Sequence, residues 1–467
     1  MSQVRLTLGW IAQAVDGRLR GDGGREAGEI VTDSRALQPG DVFVALRGPR
    51  FDGHAFAAEV LGRGAAAVVV ERDVAGALTP PPDAAVIAVD DGLLALQALA
   101  QAVRAAAGTR VVAITGSAGK TTTKEATAAF LAARFRVVKN KGNLNNHIGL
   151  PLSLMQLRSG PDAAVMELGM NHAGEISTLV RIARPDVRVW TNVGDAHLGF
   201  FASPDAIADA KAEILEGATP QSVFVANADD RRVVARAAGF PGRCLTFGEA
   251  AGASVRAVAV DDRGLDGIRA EVTTPAGDVR LDIPLIGRGN LSNVLAATAV
   301  AVDFGVPLDA IAAAASRLEP ADRRGAVHRL SRGVVLIDDS YNSSPAALTR
   351  ALETVAAEAR ATGKVAVLGE MLELGDHAVA LHEACGRAAA AAGLRQIVAV
   401  GGAPARALAG AAVKAGMPAG AVQWFATSAE AAGAVASLVR DGDLVLVKGS
   451  RGTRTDVVAD RLVEAFG

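Results

Sequence analysis

The sequence has little cysteine and little net charge, and it lacks long apolar runs. Its two cysteines, Cys244 and Cys385, match neither a disulfide framework nor a zinc spacing, so a reducing compartment is expected. The formal net charge of −2 gives no electrostatic basis for binding nucleic acid. No apolar run approaches the roughly 20 residues of a bilayer span, and the first residues do not resemble a signal peptide. We therefore expect a cytoplasmic protein without membrane insertion.

Lysine is also scarce, with 8 lysines against 40 arginines. Arginine cannot lose its proton, act as a nucleophile or serve as a compact point charge, so each lysine that remains raises the question of what it does. Four of the eight, Lys120, Lys124, Lys211 and Lys448, lie in or beside the segments discussed below.

Half of the residues are hydrophobic, and the length of 467 residues indicates several α/β domains. Residues 1–90 show short apolar strands separated by helical patterns. Residues 91–325 alternate strands and helices, which predicts a parallel sheet covered on both faces, and a segment of short alternating strands near 253–285 predicts a small antiparallel edge. Residues 326–467 again show a doubly wound, Rossmann-like pattern.

A glycine-rich loop follows the apolar strand 110–115 and precedes a helix that begins near Lys120. Its residues are Gly116, Ser117, Ala118, Gly119, Lys120, Thr121 and Thr122. Because Ile114 stands where the longer motif has its first glycine, the loop is of the shorter GxxGK[ST] type. Backbone N–H groups, the helix N-terminus and Lys120 would bind phosphates, and Thr121 would bind Mg²⁺. The alternative is a plain glycine turn.

Two strand ends carry further candidates. Glu167 ends the strand 163–167, and His197 follows the strand 187–192. The carboxyl ends of parallel strands meet where such sheets bind ligands, so Glu167 is predicted to be a metal ligand or base. A helix cap or a surface acid is the alternative for Glu167, and an ordinary loop histidine is the alternative for His197, since Mg²⁺ prefers oxygen ligands.

Lys211 lies within a predicted helix, where a solvated helix face is the usual explanation of a lysine. A neutral lysine amine can also react with CO₂ to form a carbamate, which is an oxygen ligand for a metal and which arginine cannot form.

Three polar segments complete the candidates. Asn143, Asn145 and Asn146 lie in a loop before an apolar helix, and Asn290 begins another helix, where an N-cap is the alternative. Residues 338–345 follow a strand and include Tyr341, the only tyrosine, although a simple polar turn would have the same composition.

Together these segments resemble the Mur ligases of peptidoglycan synthesis, in order and over nearly the whole chain. The resemblance is carried by the phosphate loop, Met166–Gly169, Asp195–His197, Lys211, Gly289–Asn293 and Asp339–Pro345. Thr123–Glu125, Gly142–Pro151 and Met166–Met170 are most similar to the members that attach D-alanyl-D-alanine to UDP-N-acetylmuramoyl-tripeptide. The turn differs at Ser344, where many relatives have asparagine.

The resemblance implies an N-terminal UDP-substrate domain (1–90), a central ATP-binding domain (91–325) and a C-terminal Rossmann-like domain (326–467). It also implies an acyl-phosphate mechanism, ATP, two Mg²⁺ ions and a Lys211 carbamate, in a monomer. The implied catalytic groups are Lys120, Lys211 and His197, and the implied metal ligands are Thr121, Glu167, His197 and Lys211. ATP is expected on residues 116–122, Asn290, Arg324 and Asp339. The other substrates are expected on Ser34, Arg35, Asp52, His54, Asn143, Asn145 and Asn146.

Two other classes share parts of this pattern. A folylpolyglutamate-type ligase, or the Mur ligase that adds the third residue, would have the central ATPase without the asparagine segment 143–146. A P-loop switch or motor would need a Walker-B aspartate at a strand end, where this sequence has Glu167.

Overall fold

The computed structural model describes residues 3–195 and 198–467, and these residues fold around three successive sheets. The predicted three-part α/β architecture is confirmed. In residues 3–195 and 198–467, no helix combines the length and the apolar character needed to cross a membrane.

The first sheet has the strand order β1-β5-β4-β3-β2 and is parallel except for β1. Its strands are Arg18–Arg20 (β1), Ile30–Val31 (β2), Val42–Val44 (β3), Ala67–Glu71 (β4) and Ala85–Val89 (β5). Its helices are Leu8–Ala14 (α1), Ala57–Gly62 (α2) and Arg72–Ala75 (α3). Apolar runs rich in valine and alanine are buried on both faces of β3, β4 and β5, as a parallel sheet requires, whereas the antiparallel edge strand β1 is largely exposed.

The second sheet has nine strands in the order β14-β13-β12-β11-β10-β9-β6-β8-β7. They are Arg110–Thr115 (β6), Val137–Lys139 (β7), Ala163–Glu167 (β8), Val187–Trp190 (β9), Val223–Asn227 (β10), Arg243–Gly248 (β11), Val255–Asp262 (β12), Ile268–Thr274 (β13) and Gly277–Ile283 (β14). The last two strands pair antiparallel, so the predicted antiparallel edge is present. Strand β9 ends two residues before the predicted end at Asn192.

Eight helices surround this sheet among the described residues. They are Gly92–Ala107 (α4), Lys120–Ala132 (α5), Gly149–Leu154 (α6), Glu175–Ala183 (α7), Pro204–Ala212 (α8), Arg231–Ala237 (α9), Arg288–Asp303 (α10) and Leu308–Ala315 (α11). Asp91 caps α4 through a 2.8 Å bond from the Leu94 N–H, and Gly108 ends the helix in the left-handed conformation. The buried face of α4 belongs to one apolar cluster with the first sheet and the second sheet.

The third sheet has the order β15-β16-β20-β17-β18-β19. Its strands are Ala326–Arg329 (β15), Val335–Asp339 (β16), Gly363–Gly369 (β17), Gln396–Val400 (β18), Val422–Phe425 (β19) and Asp443–Lys448 (β20). Its helices are Pro345–Ala357 (α12), Ala378–Ala391 (α13), Ala403–Lys414 (α14), Ser428–Leu438 (α15) and Asp456–Phe466 (α16). The sequence did not predict β15, which pairs antiparallel with β16 at the edge.

The turn between β12 and β13 joins the second part of the chain to the third. Its Leu265 is 8% exposed and belongs to the apolar cluster beneath the third sheet, together with Leu352 and Val355. The adjacent Asp266 pairs with Arg329 at 2.7 Å and with Arg360 at 2.5 Å. A hairpin of the second sheet therefore anchors the third.

Candidate active site

The predicted phosphate loop lies between β6 and the N-terminus of α5. Gly116 and Gly119 have φ values of 152° and 82°, which disfavour other residues. A Cβ on Gly116 would collide with the Thr191 hydroxyl, and a Cβ on Gly119 would collide with the Asn293 amide. Both glycines are thus required by conformation and by space, and the plain-turn alternative does not account for this close packing.

The segment after β9 holds the loop in place. The Asn192 side chain accepts a 2.9 Å bond from the Ala118 N–H and donates a 3.0 Å bond to the Ala118 carbonyl oxygen. The Thr191 hydroxyl donates to the same oxygen at 2.7 Å. Ser117 bonds with Gly194 through its hydroxyl group. Sequence reasoning did not assign Thr191 or Asn192 to the site, although their position after a parallel strand could have indicated them.

Lys120, Thr121 and Glu167 meet at the base of the loop. The Thr121 hydroxyl donates to a Glu167 carboxylate oxygen at 2.9 Å, and the Asn145 side chain donates to the other oxygen at 2.9 Å. Glu167 is only 4% exposed, and no helix begins at it, so the surface-acid and helix-cap alternatives are wrong. Burial lowers the pKa of Lys120, the Glu167 charge opposes this, and Arg324 lowers the pKa further.

Lys211 is 1% exposed and lies in the last turn of α8, so the solvated-face alternative is wrong. Within residues 3–195 and 198–467 its amine makes no hydrogen bond or ion pair. Burial lowers its pKa well below the ordinary value, and the positive charge of Lys120 lowers it further. A buried amine beside another cation is thereby favoured in its neutral form, which is the form that reacts with CO₂.

The oxygen ligands at Glu167 fit a hard divalent cation. A threonine hydroxyl and a carboxylate are the donors that Mg²⁺ prefers, and they already lie within hydrogen-bond distance of each other. The described part of the chain holds no cluster of three His, Cys, Asp or Glu side chains suited to a metal. Phosphate or water oxygens would therefore have to supply the remaining ligands of a cation bound by Thr121 and Glu167. The predicted ligand His197 lies outside the described residues.

A cleft of about 1060 Å³ opens between the second and third sheets. Among the predicted ATP residues, Ser117, Ala118, Gly119, Thr122, Asn290, Arg324 and Asp339 line it, and the predicted substrate residue Asn143 lines it too. The Arg324 guanidinium stacks on the ring of Tyr341, 4.2 Å from the ring centre. The structure thus brings residues from two predicted domains to one cleft.

Two predicted asparagine positions have local partners. The Asn290 side chain donates to the Ile286 carbonyl oxygen at 2.9 Å and accepts from Asn293 at 3.2 Å. Helix α10 begins at Arg288, before Asn290, so the N-cap alternative is wrong. Asn146 accepts a bond from the Gly149 N–H at 2.8 Å and thereby supports the start of α6.

The predicted residues of the first sheet lie apart from those that line this cleft. Ser34 and Arg35 are in a short 3₁₀ turn, where Arg35 pairs with Asp33 at 2.7 Å. Asp52 accepts from the His54 ring at 2.6 Å, and the other ring nitrogen of His54 accepts from the Glu71 N–H at 3.1 Å. Both ring nitrogens of the buried His54 are therefore bonded within the protein, one to the Asp52 carboxylate and one to the Glu71 backbone.

Family sequence models match three successive segments of the chain. They are described as "Mur ligase family, catalytic domain" for residues 27–104, "Mur ligase middle domain" for residues 114–301 and "Mur ligase, glutamate ligase domain" for residues 323–451.

Curated relatives and solved structures agree with these matches. The chain is 34% identical to the UDP-N-acetylmuramoyl-tripeptide--D-alanyl-D-alanine ligase of Bacillus subtilis, over 93% of each chain. It is 37% identical to the Escherichia coli protein of the same name, over 85% of this chain and 86% of that one. MurF from Acinetobacter baumannii superimposes with a TM-score of 0.89 at 33% identity, covering 99% of this chain and 100% of that one.

The rival families are more distant. A folylpolyglutamate synthase from Mycobacterium tuberculosis has a TM-score of 0.61 at 18% identity, covering 79% of this chain and 93% of that chain. A UDP-N-acetylmuramoyl-L-alanyl-D-glutamate--2,6-diaminopimelate ligase has a TM-score of 0.55 at 19% identity, with 98% and 99% coverage. At these identities the likeness concerns the fold alone.

Proposed function

Because this chain belongs to the Mur ligase family, we propose that the cleft between its second and third sheets activates a peptide carboxylate with ATP. The protein is an ATP-dependent ligase of peptidoglycan synthesis. It joins D-alanyl-D-alanine to UDP-N-acetylmuramoyl-tripeptide through an acyl phosphate, and the products are the UDP-linked pentapeptide, ADP and phosphate.

In the first step, the terminal carboxylate of the tripeptide attacks the γ-phosphorus of ATP, and ADP leaves. Two anions must meet, so the residues around them have to supply positive charge. The N-terminus of α5, the loop N–H groups and Lys120 provide it from the second sheet. Arg324, which lies close enough to Lys120 to lower its pKa, provides it from the other side of the cleft.

Thr121 and Glu167 would hold one Mg²⁺ ion, and His197 with a carbamate on Lys211 would serve a second. A bound Mg²⁺ ion would neutralise developing charge on the phosphate oxygens. Asn145 keeps the Glu167 carboxylate oriented through its 2.9 Å bond.

The observation that carries this proposal is the burial of the Lys211 amine beside Lys120. Two cations placed together in a buried site repel each other. Reaction of the neutral Lys211 amine with CO₂ forms an N–C bond and releases a proton, and the lysine becomes an anion. The carbamate would then attract Lys120 where the ammonium form repels it.

In the second step, the amine of D-alanyl-D-alanine attacks the acyl-phosphate carbonyl carbon. An amide bond forms, the carbon–oxygen bond to phosphate breaks, and the amine loses a proton. Water would compete in this step, so the cleft has to close around the intermediate. Asp339, from the third sheet, and Arg324, from the segment that leads into that sheet, both line the cleft. Their position supports a role for both residues in closing over ATP. Asn290 is proposed to read the adenine edge from the second sheet.

The UDP end of the substrate is assigned to the first sheet, at Ser34, Arg35, Asp52 and His54. The peptide end is assigned to Asn143, Asn145 and Asn146. We also propose that the chain divides into three domains after residues 90 and 325. We further propose that the protein is a monomer and that it acts in the cytoplasm. The bounds of the three sheets support the division.

A coupled assay tests the proposed mechanism. ADP release should require UDP-N-acetylmuramoyl-tripeptide and D-alanyl-D-alanine together, and the pentapeptide should accumulate in equal amount. Rapid ATP hydrolysis with neither substrate present would contradict the proposal, because the cleft would then activate water.

A further inference from the structure

Asn140 lies where helix α5, the end of strand β8 at Glu167 and the loop of residues 143–146, here called the asparagine loop, meet. Its side chain is 1% exposed. We propose that Asn140, held by Lys124, is a positioning residue that fixes the Glu167 carboxylate and the Asn145 amide for metal and phosphate binding. The inference rests on the proposed role of Glu167 and adds two residues that would act through it.

The Asn140 side chain takes the place of a missing strand partner. Strand β7 pairs with β8 only as far as Lys139 and Val165, two residues before Glu167. Beyond that point, the Asn140 side-chain oxygen accepts from the Glu167 N–H at 3.0 Å. The Asn140 amide donates to the Glu167 carbonyl oxygen at 3.2 Å. One side chain therefore satisfies both backbone groups of the residue whose carboxylate faces the phosphate loop.

The same amide also holds the asparagine loop. Its nitrogen donates to the Leu144 carbonyl oxygen at 3.0 Å, which fixes the residue before Asn145. Asn145 then donates to the Glu167 carboxylate at 2.9 Å, and its carbonyl oxygen accepts from the Gly169 N–H at 2.9 Å. Asn140 thus controls Glu167 from two directions, through its backbone and through Asn145.

Lys124 ties this arrangement to the phosphate loop. It lies on α5, one turn after Lys120, and its side chain is 1% exposed. Its amine donates to the Asn140 carbonyl oxygen at 3.0 Å and lies 3.4 Å from a Glu125 carboxylate oxygen. A buried ammonium group is costly unless it is bonded in this way, so the contact fixes the helix relative to Asn140. Movement of the helix would therefore displace Thr121 and Glu167 together.

Two substitutions at Asn140 test the inference, with Mn²⁺ binding to the ADP complex as the main measurement. Asn140→Ala removes all three side-chain bonds. Asn140→Asp keeps the shape but places an oxygen against the Leu144 and Glu167 carbonyl oxygens. We expect Mn²⁺ affinity, followed by electron paramagnetic resonance, to fall about 10-fold in both variants, as for other groups that orient metal ligands. The KM for D-alanyl-D-alanine should change much less than kcat.

Gln156→Ala is the matched control. Gln156 also donates through its amide to backbone oxygens, those of Lys139 and Ser153, and neither of these two bonds reaches Glu167 or residues 143–146. Equal Mn²⁺ affinity in the Gln156 and Asn140 variants would overturn the inference. If Asn140→Ala fails to fold, the isosteric Asn140→Asp variant decides the outcome.

Glu167→Gln separates this inference from the proposed function. If Mn²⁺ affinity is unchanged in Glu167→Gln, the metal role of Glu167 is wrong and the proposed function fails at that point. If Glu167→Gln loses Mn²⁺ affinity but the Asn140 variants do not, only the positioning role of Asn140 is wrong.

Discussion

The Lys448 ammonium group lies 2.6 Å from a carboxylate oxygen of Asp339, across adjacent strands β20 and β16. The Lys448 side chain is 3% exposed and also donates to the Asn342 carbonyl oxygen at 3.1 Å. Asp339 is one of the residues proposed to reach ATP, so its position in the cleft depends on a lysine that the nucleotide itself need not touch.

Replacing Lys448 with methionine should destabilise the protein by about 2 kcal/mol, because it leaves the carboxylate of Asp339 without its partner in a mostly buried site. Urea unfolding measures this loss. The double variant Lys448→Met/Asp339→Asn should recover part of it, since no unpaired carboxylate remains. Lys364→Met is the control, because within residues 3–195 and 198–467 the amine of Lys364, in the same sheet, bonds to the Ala356 carbonyl oxygen at 2.7 Å and to no carboxylate. Equal losses at Lys448 and Lys364 would contradict the prediction.

Replacing Lys211 with arginine should reduce kcat about 100-fold, because arginine keeps its charge and cannot form a carbamate. The wild-type protein, incubated with ¹³C-bicarbonate, should show a carbamate carbon signal by NMR that the variant lacks. Lys414→Arg, an exposed change in the last turn of α14, should leave kcat unchanged. Full activity in Lys211→Arg would exclude a carbamate mechanism.

Gly199, in the segment between β9 and α8, packs against Gly375, in the segment between β17 and α13. The Gly199 N–H donates to the Glu373 carbonyl oxygen at 2.8 Å, and a Cβ on Gly199 would lie 2.7 Å from the Gly375 nitrogen. Gly199→Ala should therefore hold the cleft slightly open and lower kcat about 10-fold, since small misplacements are costly in catalysis.

Small-angle X-ray scattering with ADP should show a larger radius of gyration for Gly199→Ala than for the wild-type protein, while affinity for ADP changes little. Gly410→Ala is the control, because a Cβ at that position meets no atom within 4 Å. An unchanged kcat in Gly199→Ala would show that this contact does not limit closure.

His382 should make stability depend on pH. Its side chain is fully buried; Nε2 accepts from the Met371 N–H at 2.9 Å, and Nδ1 donates to the Ala378 carbonyl oxygen at 2.7 Å. Burial lowers the pKa of His382 below its ordinary value of 6.5, against the opposing effects of the Ala378 bond and the Glu370 charge. The unfolded chain then binds a proton that the folded chain does not, so stability is lost as pH falls below about 6.5.

Urea unfolding at about pH 7.5 and about pH 5 measures this effect. The loss on acidification should be smaller in His382→Gln than in the wild-type protein. His377→Gln, a change at an exposed histidine, should retain the wild-type loss. The same acid sensitivity in all three proteins would show that other groups are responsible.

Periodicity and strand-end reasoning predicted the architecture and placed Thr121 and Glu167 together, because parallel strands end at one edge whatever their exact register. Asn140 could not be found in this way. Its amide pairs with Glu167 only because β7 stops early, and the end of a short strand is not visible in sequence. The burial of Lys211 was equally hidden, since the alanine-rich helix around it has no clear apolar face.

The hairpin tip at Leu265 and Asp266 bears on how the chain can be divided. A fragment that begins near residue 326 would retain Leu352 and Val355 but would lose the leucine that covers them, and Arg329 and Arg360 would lose their shared carboxylate. Such a fragment would expose apolar surface at Leu352 and Val355 to solvent, and it should therefore self-associate. The third sheet is therefore continuous in sequence, but it is not an independent folding unit without the β12–β13 turn.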